Sequence, residues 1–499
     1  MNSPLTFLDL AVAAIYLLLS VAIGMWMGRN NKNIDDYLLG GRNISWWAIL
    51  GSIVSTETSA ATFLSVPGLA WTKGGNLAFL QLAAGYVLGR IIVTVFLLPL
   101  YFRGELLTAY QILQSRFGIA TRRIASGMFL VTRNLGDGLR LWLTAITLSA
   151  VTDWSMTVCV LVAGGVTILY TLYGGLRSVV WSDCIQFVIY MIAAGVSLWI
   201  LIDRIPGGLE GVMKFGRADD KFKLFDLSFD QSKPYTLWAG LIGGAFITLG
   251  SHGTDQMMVQ RCLAAPSLRD AGKAMVASGF IVFFQFAVFL FIGISLGAFF
   301  ASQPLPEGTA RDEVYLTFIM RELPSGLRGL TLAGIFAAAF TGSLNSCVST
   351  VIGDFGSVMR IDRLSDSQRV TLSRGLTFLF GIIQIVVALV AVSMDSQKSL
   401  VENVLTVAGL SGGVLLGVFI LGQLPWRIPE GAAITGMLTA LVVVTCIYFE
   451  SALPGLFGWE KSPYPVAFPW YPVIGSLLTV GVASAVSLVI QRPSPAVAD

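Results

Sequence analysis

Residues 51–67 read GSIVSTETSAATFLSVP, an apolar stretch interrupted at its centre by a run of hydroxyl side chains and one carboxylate, Glu57. The pattern predicts a membrane-spanning helix broken halfway. Hydrocarbon offers no water to an unpaired backbone, so such a run is tolerated at membrane depth only where it lines a protein-enclosed cavity. Unwound backbone there frees carbonyl oxygens for a hard cation such as Na⁺ and presents half-helix ends to a solute. The competing reading is a tight helix contact built from small residues, which needs no ligand. Glu57 weighs against it, because a carboxylate at midspan is costly without a task.

Composition agrees with a membrane setting. Of the 499 residues, 55% are hydrophobic and 12% charged, with a mean hydropathy of +0.76, far from an ordinary soluble domain. A net charge of +3 spread over loops gives no footprint for a nucleic-acid partner. The five cysteines stand singly, without metal-ligand spacing, and His252 is the only histidine. One histidine and no nucleophile motif argue against an enzyme, and no GxxxxGK[ST] phosphate loop is present to couple nucleotide hydrolysis. The first apolar run lacks the basic flank of a secretory signal and is expected to be retained.

Apolar runs long enough to cross a bilayer recur throughout, and the expected architecture is an all-α polytopic membrane protein of about 13 transmembrane helices. The spans fall near 6–28, 45–71, 76–101, 124–151, 154–175, 179–203, 236–260, 273–301, 326–354, 374–394, 399–423, 430–449 and 469–491. Basic residues cluster in alternate loops, among them Arg29, Lys32 and Arg42, then Arg116, Arg122 and Arg123, then Arg261, Arg269 and Lys273. That bias places the N-terminus outside and the C-terminus in the cytoplasm of a plasma or bacterial inner membrane. The loop 204–235 departs from it with Lys214, Arg217, Lys221, Lys223 and Lys233 on the outer side, alongside four aspartates.

Charges within the spans are Glu57, Arg90, Arg133, Asp137, Arg140, Asp183 and Asp255. In RNLGDGLR, Asp137 follows Arg133 by four residues and precedes Arg140 by three, so the three share a helical face. Two readings stand, an ion-pair network that fixes packing and a cluster facing a solute. Asp183, at the start of an apolar run, suits a helix cap or a cation ligand. Residues 250–261, GSHGTDQMMVQR, are a second broken-helix candidate five spans after the first, as an inverted repeat requires. Residues 337–350, AAAFTGSLNSCVST, add hydroxyls at helical spacing.

These residues resemble the solute:sodium symporter family. The resemblance rests on DDYLLGGR at 35–42, TFLSVPG at 62–68, LTAYQILQSRFG at 107–118, YGGLRSVVWSDCIQ at 173–186, DQMMVQR at 255–261 and GLTLAGIFAAAFTGSLNS at 329–346. It implies a LeuT-like fold within one transporter domain over 1–499, with broken spans 2 and 7. Repeat one would occupy 45–203 and repeat two 236–423, with peripheral spans at 6–28 and 430–491. It also implies a sodium site of Ser55 and Thr58 carbonyls with Ala338, Thr341 and Gly342, although Gly342 stands where a hydroxyl is usual. Asp183 with Asn345 matches a second sodium site, and Glu57 falls where some relatives place a polar residue beside the ion. Solute-contacting positions carry over to Ser59 and Thr62, with Gln81, Asp255 and Gln260 expected near the same cavity.

The resulting expectation is a sodium-coupled symporter that imports a small polar organic solute by alternating access, with Na⁺, the solute and the bilayer as partners and no cofactor. A proton-coupled permease of the same fold, titrating Glu57 or Asp183, is the alternative.

Overall fold

The computed structural model describes residues 5–28, 33–58, 60–104, 106–152, 154–305, 308–337, 343–392, 400–452 and 465–490. Among the described residues every regular element is a helix. Six helices are long and apolar enough to cross a bilayer, including Gly175–Arg204, Leu268–Ser302 and Asp366–Val392. The pair Trp46–Glu57 and Thr62–Trp71, bent by 59°, makes a seventh. Further apolar helices include Phe7–Gly28 and Leu400–Gln423, and others carry charge. Ile119–Thr152, for example, spans 34 residues but includes Arg133, Asp137 and Arg140.

The hydroxyl run of the second apolar stretch coincides with the end of one helix. The helix Trp46–Glu57 ends at Thr58, whose φ of −83° and ψ of 76° leave the helical region while its N–H still bonds Val54 O. The chain resumes as Ala60–Trp71, and Ser59 lies outside the described residues. The second interruption comes slightly later than its glycines suggest. Gly244–Gly253 gives way at Thr254, and Asp255 caps a new helix, Gln256–Leu263, by accepting from Met257 N at 2.8 Å. Between the helices Leu327–Ala337 and Ser343–Phe355, residues 338–342, which hold Ala338, Thr341 and Gly342, lie outside the described residues.

Gly175 adopts φ 60° and ψ −174° inside Met156–Arg204, a conformation a side chain would resist. It divides that stretch in two, as the sequence reading placed a boundary there.

Small residues bring the core helices together. A Cβ at Gly85 would lie 2.1 Å from Gly240 O, so the helix Phe79–Ile92 packs backbone to backbone on 239–253. Gly293 admits Pro67 in the same way, seating Leu268–Ser302 on the half-helix Ala60–Trp71. That half is also anchored by Phe63, fully buried with its ring centroid 5.3 Å from Tyr190, 5.3 Å from Phe289 and 5.2 Å from Tyr315. Break and core are thus held against the same neighbours.

Candidate functional site

The end of Trp46–Glu57 opens onto a cavity of about 150 Å³. Thr56, Glu57 and Thr62 contribute from the broken span, and Ser251, His252 and Asp255 from the second interruption. Arg133, Asp137 and Arg140 contribute from Ile119–Thr152. Tyr86, Thr132, Thr248 and Ser411 complete its polar lining. Three stretches far apart in sequence therefore meet at one place.

Charge within the cavity is unevenly partnered. Arg133 Nε donates to Asp137 Oδ2 at 3.0 Å, and its Nη1 reaches Asp255 Oδ2 at 3.3 Å. Asp137, four residues from Arg133 and three from Arg140, thus pairs with Arg133. Among the described residues Arg140 has no ion-pair partner, and its buried Nη1 makes no hydrogen bond. All three charges of RNLGDGLR line the cavity, Arg133 and Asp137 as an ion pair and Arg140 outside it.

Glu57 is bound by Arg90 Nη2, a fully buried guanidinium whose Nε and Nη1 are unpaired. The same Nη2 lies 3.1 Å from His252 Nε2. On the other face of this helix, Asp183 Oδ2 accepts from Ser52 Oγ at 2.5 Å, from Arg261 Nη2 at 3.2 Å and from Thr56 Oγ1 at 3.5 Å. Arg261 also donates from Nε to Ser52 Oγ at 2.8 Å. Both carboxylates that a proton-coupled permease would titrate are therefore held by guanidinium groups. Asp183 pairs with Arg261, and both amide atoms of buried Asn345 lack hydrogen-bond partners.

Of the expected sodium ligands in the described residues, Ser55 is buried with an unpartnered Oγ. Thr58 Oγ1 stands 2.9 Å from both Val54 O and Gln285 Oε1, and Gln285 Nε2 has no partner. Gln285 was the one amide in an otherwise apolar run, FIVFFQFAVFLF, a signal the sequence carried and its reading passed over.

The expected solute contacts divide. Thr62 and Asp255 line the cavity. Gln81 and Gln260 do not. Gln81 Nε2 donates to Tyr235 O at 3.0 Å and its Oε1 accepts from Asp226 N at 3.2 Å, which clips the loop before span seven. Gln260 donates to Leu38 O at 2.6 Å and accepts from Ser346 Oγ at 2.8 Å. Buried amides seek backbone partners, and span placement alone does not reveal which face they occupy. Ser251 and His252, by contrast, line the cavity without having been singled out as contacts.

The fold matches that of a solved substrate-bound, outward-open Na⁺-coupled sialic acid symporter, with a TM-score of 0.85 and 25% identity, covering 97% of this chain and 98% of that one. A bundle of apolar helices enclosing a charged cavity at the break of one span is, with that match, a membrane transporter of the LeuT-like fold. The chain belongs to the sodium:solute symporter family, whose model matches residues 37–440. Among its relatives, the sodium/sialic acid symporter NanT of Aliivibrio fischeri is 27% identical, covering 93% of this chain and 90% of the relative. Sodium-coupled monocarboxylate transporter 2 of Bos taurus is 29% identical, covering 87% of this chain and 71% of the relative. The protein is an integral membrane transporter and not an enzyme; Na⁺ is the ion co-transported in its family, which needs no cofactor.

Proposed function

We propose that this chain imports a small organic anion, a carboxylate-bearing solute of the sialic acid or monocarboxylate kind, in symport with Na⁺ by alternating access. The observation that carries the choice of an anion is Arg140, a cavity cation without a carboxylate partner among the described residues. A guanidinium left unpaired in a low-dielectric site is expensive, and a solute carboxylate, bound by charge-assisted hydrogen bonds, relieves that cost. The transported solutes named for the relatives are of this class.

In this reading the chain forms about 13 spans, with spans 2–6 and 7–11 as inverted repeats, the N-terminus outside and the C-terminus in the cytoplasm of a plasma or bacterial inner membrane. Na⁺ binds the Ser55 and Thr58 carbonyls together with Ala338, Thr341 and Gly342, tying the broken second span to the ninth. Solute affinity depends on Na⁺ because the ion favours the state in which the two halves are joined. Loss of Na⁺ to the cytoplasm loosens the break and releases solute. Asp183, paired with Arg261, serves to hold spans together in this reading, and the proton-coupled alternative gains no support from the placement of Glu57.

The test is uptake into proteoliposomes under an inward Na⁺ gradient, with K⁺ as control and with sialic acid and propionate as separate probes. Arg140→Gln is expected to raise KM by about tenfold or more for the transported anion, as loss of a charged hydrogen bond implies. Equal uptake in K⁺, or an unchanged KM in the variant, overturns the reading.

A further inference from the structure

His252 is the only histidine in the chain, and its two ring nitrogens have different neighbours. Nε2 lies 3.1 Å from Arg90 Nη2, and Nδ1 lies 2.9 Å from Ser251 Oγ. Both residues are placed by their flanking glycines. A Cβ at Gly250 would stand 2.9 Å from Gly412 O, and one at Gly253 would stand 2.5 Å from Leu97 Cδ1. These close approaches wedge the Ser251–His252 pair between the neighbouring helices at the cavity wall.

The hydrogen-bond polarity follows from one fixed point. A guanidinium only donates, so the nitrogen it meets is an acceptor and Nε2 carries no proton. A proton there would oppose two donors, and an imidazolium would set two cations 3.1 Å apart. Glu57 Oε2 does not change this, since it lies 3.7 Å from Nε2 and already binds Arg90. The single ring proton is therefore on Nδ1, which donates to Ser251 Oγ. With its acceptor side occupied, the Ser251 hydroxyl has its own hydrogen to offer, and it faces the cavity.

We propose that Arg90, His252 and Ser251 form a directed hydrogen-bond relay that fixes Ser251 as a donor into the cavity, making a subsite for an uncharged oxygen acceptor of the solute, a carbonyl or hydroxyl oxygen. The ligand class rests on reading the cavity as the solute site. The relay does not. Arg140 takes the charged end of the solute, and Ser251 discriminates among anions by whether they carry a second oxygen function. Glu57 is a positioning residue that holds the guanidinium in place.

Two measurements test this. The full-length protein labelled with ¹⁵N-histidine gives the nitrogen signals of one imidazole, read without any solute. The expected spectrum shows a protonated Nδ1 and a bare Nε2, the minor tautomer of free histidine; a protonated Nε2 or an imidazolium overturns the relay. In proteoliposomes, Ser251→Ala is expected to raise KM for sialic acid by about tenfold, the loss of one neutral hydrogen bond. It should leave KM for propionate, which has no second oxygen function, within about twofold. His252→Asn, whose amide N–H takes the place of Nδ1–H, should raise the sialic acid KM less than His252→Leu. Equal KM values for wild type and Ser251→Ala overturn the subsite. If wild type accumulates neither probe with Na⁺, the solute reading and the ligand class fail together, while the nitrogen spectrum still decides the relay by itself.

Discussion

Arg261 and Asp183, 78 residues apart in sequence, meet at 3.2 Å inside the bundle, with Ser52 bonded to both. This contact joins the short helix after the second interruption to the helix Trp46–Glu57 through a third span. Asp183→Asn should be strongly destabilising, by about 3–5 kcal/mol, because it leaves a buried guanidinium without its counter-charge. The double variant Asp183→Asn with Arg261→Gln should recover part of that loss. Thermal unfolding of all four proteins in detergent supplies the cycle, and additive losses would show that the pair is not coupled.

Sodium should stabilise the folded protein, since a ligand that binds only the native state raises its stability by mass action. At matched ionic strength, Na⁺ is expected to raise the melting temperature above that in K⁺ or choline. At a concentration about one hundred times Kd the gain is about 2.7 kcal/mol. Thr341→Ala should abolish the difference. Identical melting curves in the three cations would remove the proposed sodium site.

Lys221 should contribute from outside the membrane-spanning segments. Its Nζ donates to the carbonyls of Ala70, Trp71 and Thr72 at 3.1, 3.2 and 2.6 Å, closing the C-terminus of the half-helix Ala60–Trp71, where a cation also suits the helix dipole. Lys221→Met is expected to cost about 1–3 kcal/mol by leaving buried carbonyls unpaired. It should speed protease cleavage near residues 70–75 while sparing the core.

The same lysine carries a pH signature. Burial lowers its pKa from the ordinary 10.5, opposed by the nearby Asp219 carboxylate. A base with a lowered native pKa binds fewer protons folded than unfolded between those two values, so stability rises with pH across that window. Its contribution is complete above 10.5 and is lost as pH falls through the lowered native value. The gap in melting temperature between wild type and Lys221→Met should therefore widen as pH climbs toward 10.5. A gap that narrows instead would show that the carbonyl cage favours the charged form.

Much of this was legible in the chain itself. Apolar runs gave the helices their positions, because a bilayer leaves the backbone no other partner than itself. The hydroxyl run with Glu57 lies where the helix Trp46–Glu57 ends, and GSHGTDQ lies where Gly244–Gly253 ends. A helical face of Arg133, Asp137 and Arg140 followed from spacing alone.

Partnership was not legible. Spacing allows Asp137 to pair with either arginine, and the position of Asp255 on another helix draws Arg133 into that pair and leaves Arg140 for the cavity. Gln81 and Gln260 were expected at the cavity, yet the backbones of a loop and of a short helix claim them. Asp183 pairs with Arg261, on another helix. The sequence alone determined where apolar helices lie and where polar groups enter them, because periodicity and hydropathy act over one or two turns. Tertiary structure decided which charge meets which, because helix rotation and close glycine contacts set those distances, and neither is written in any single segment.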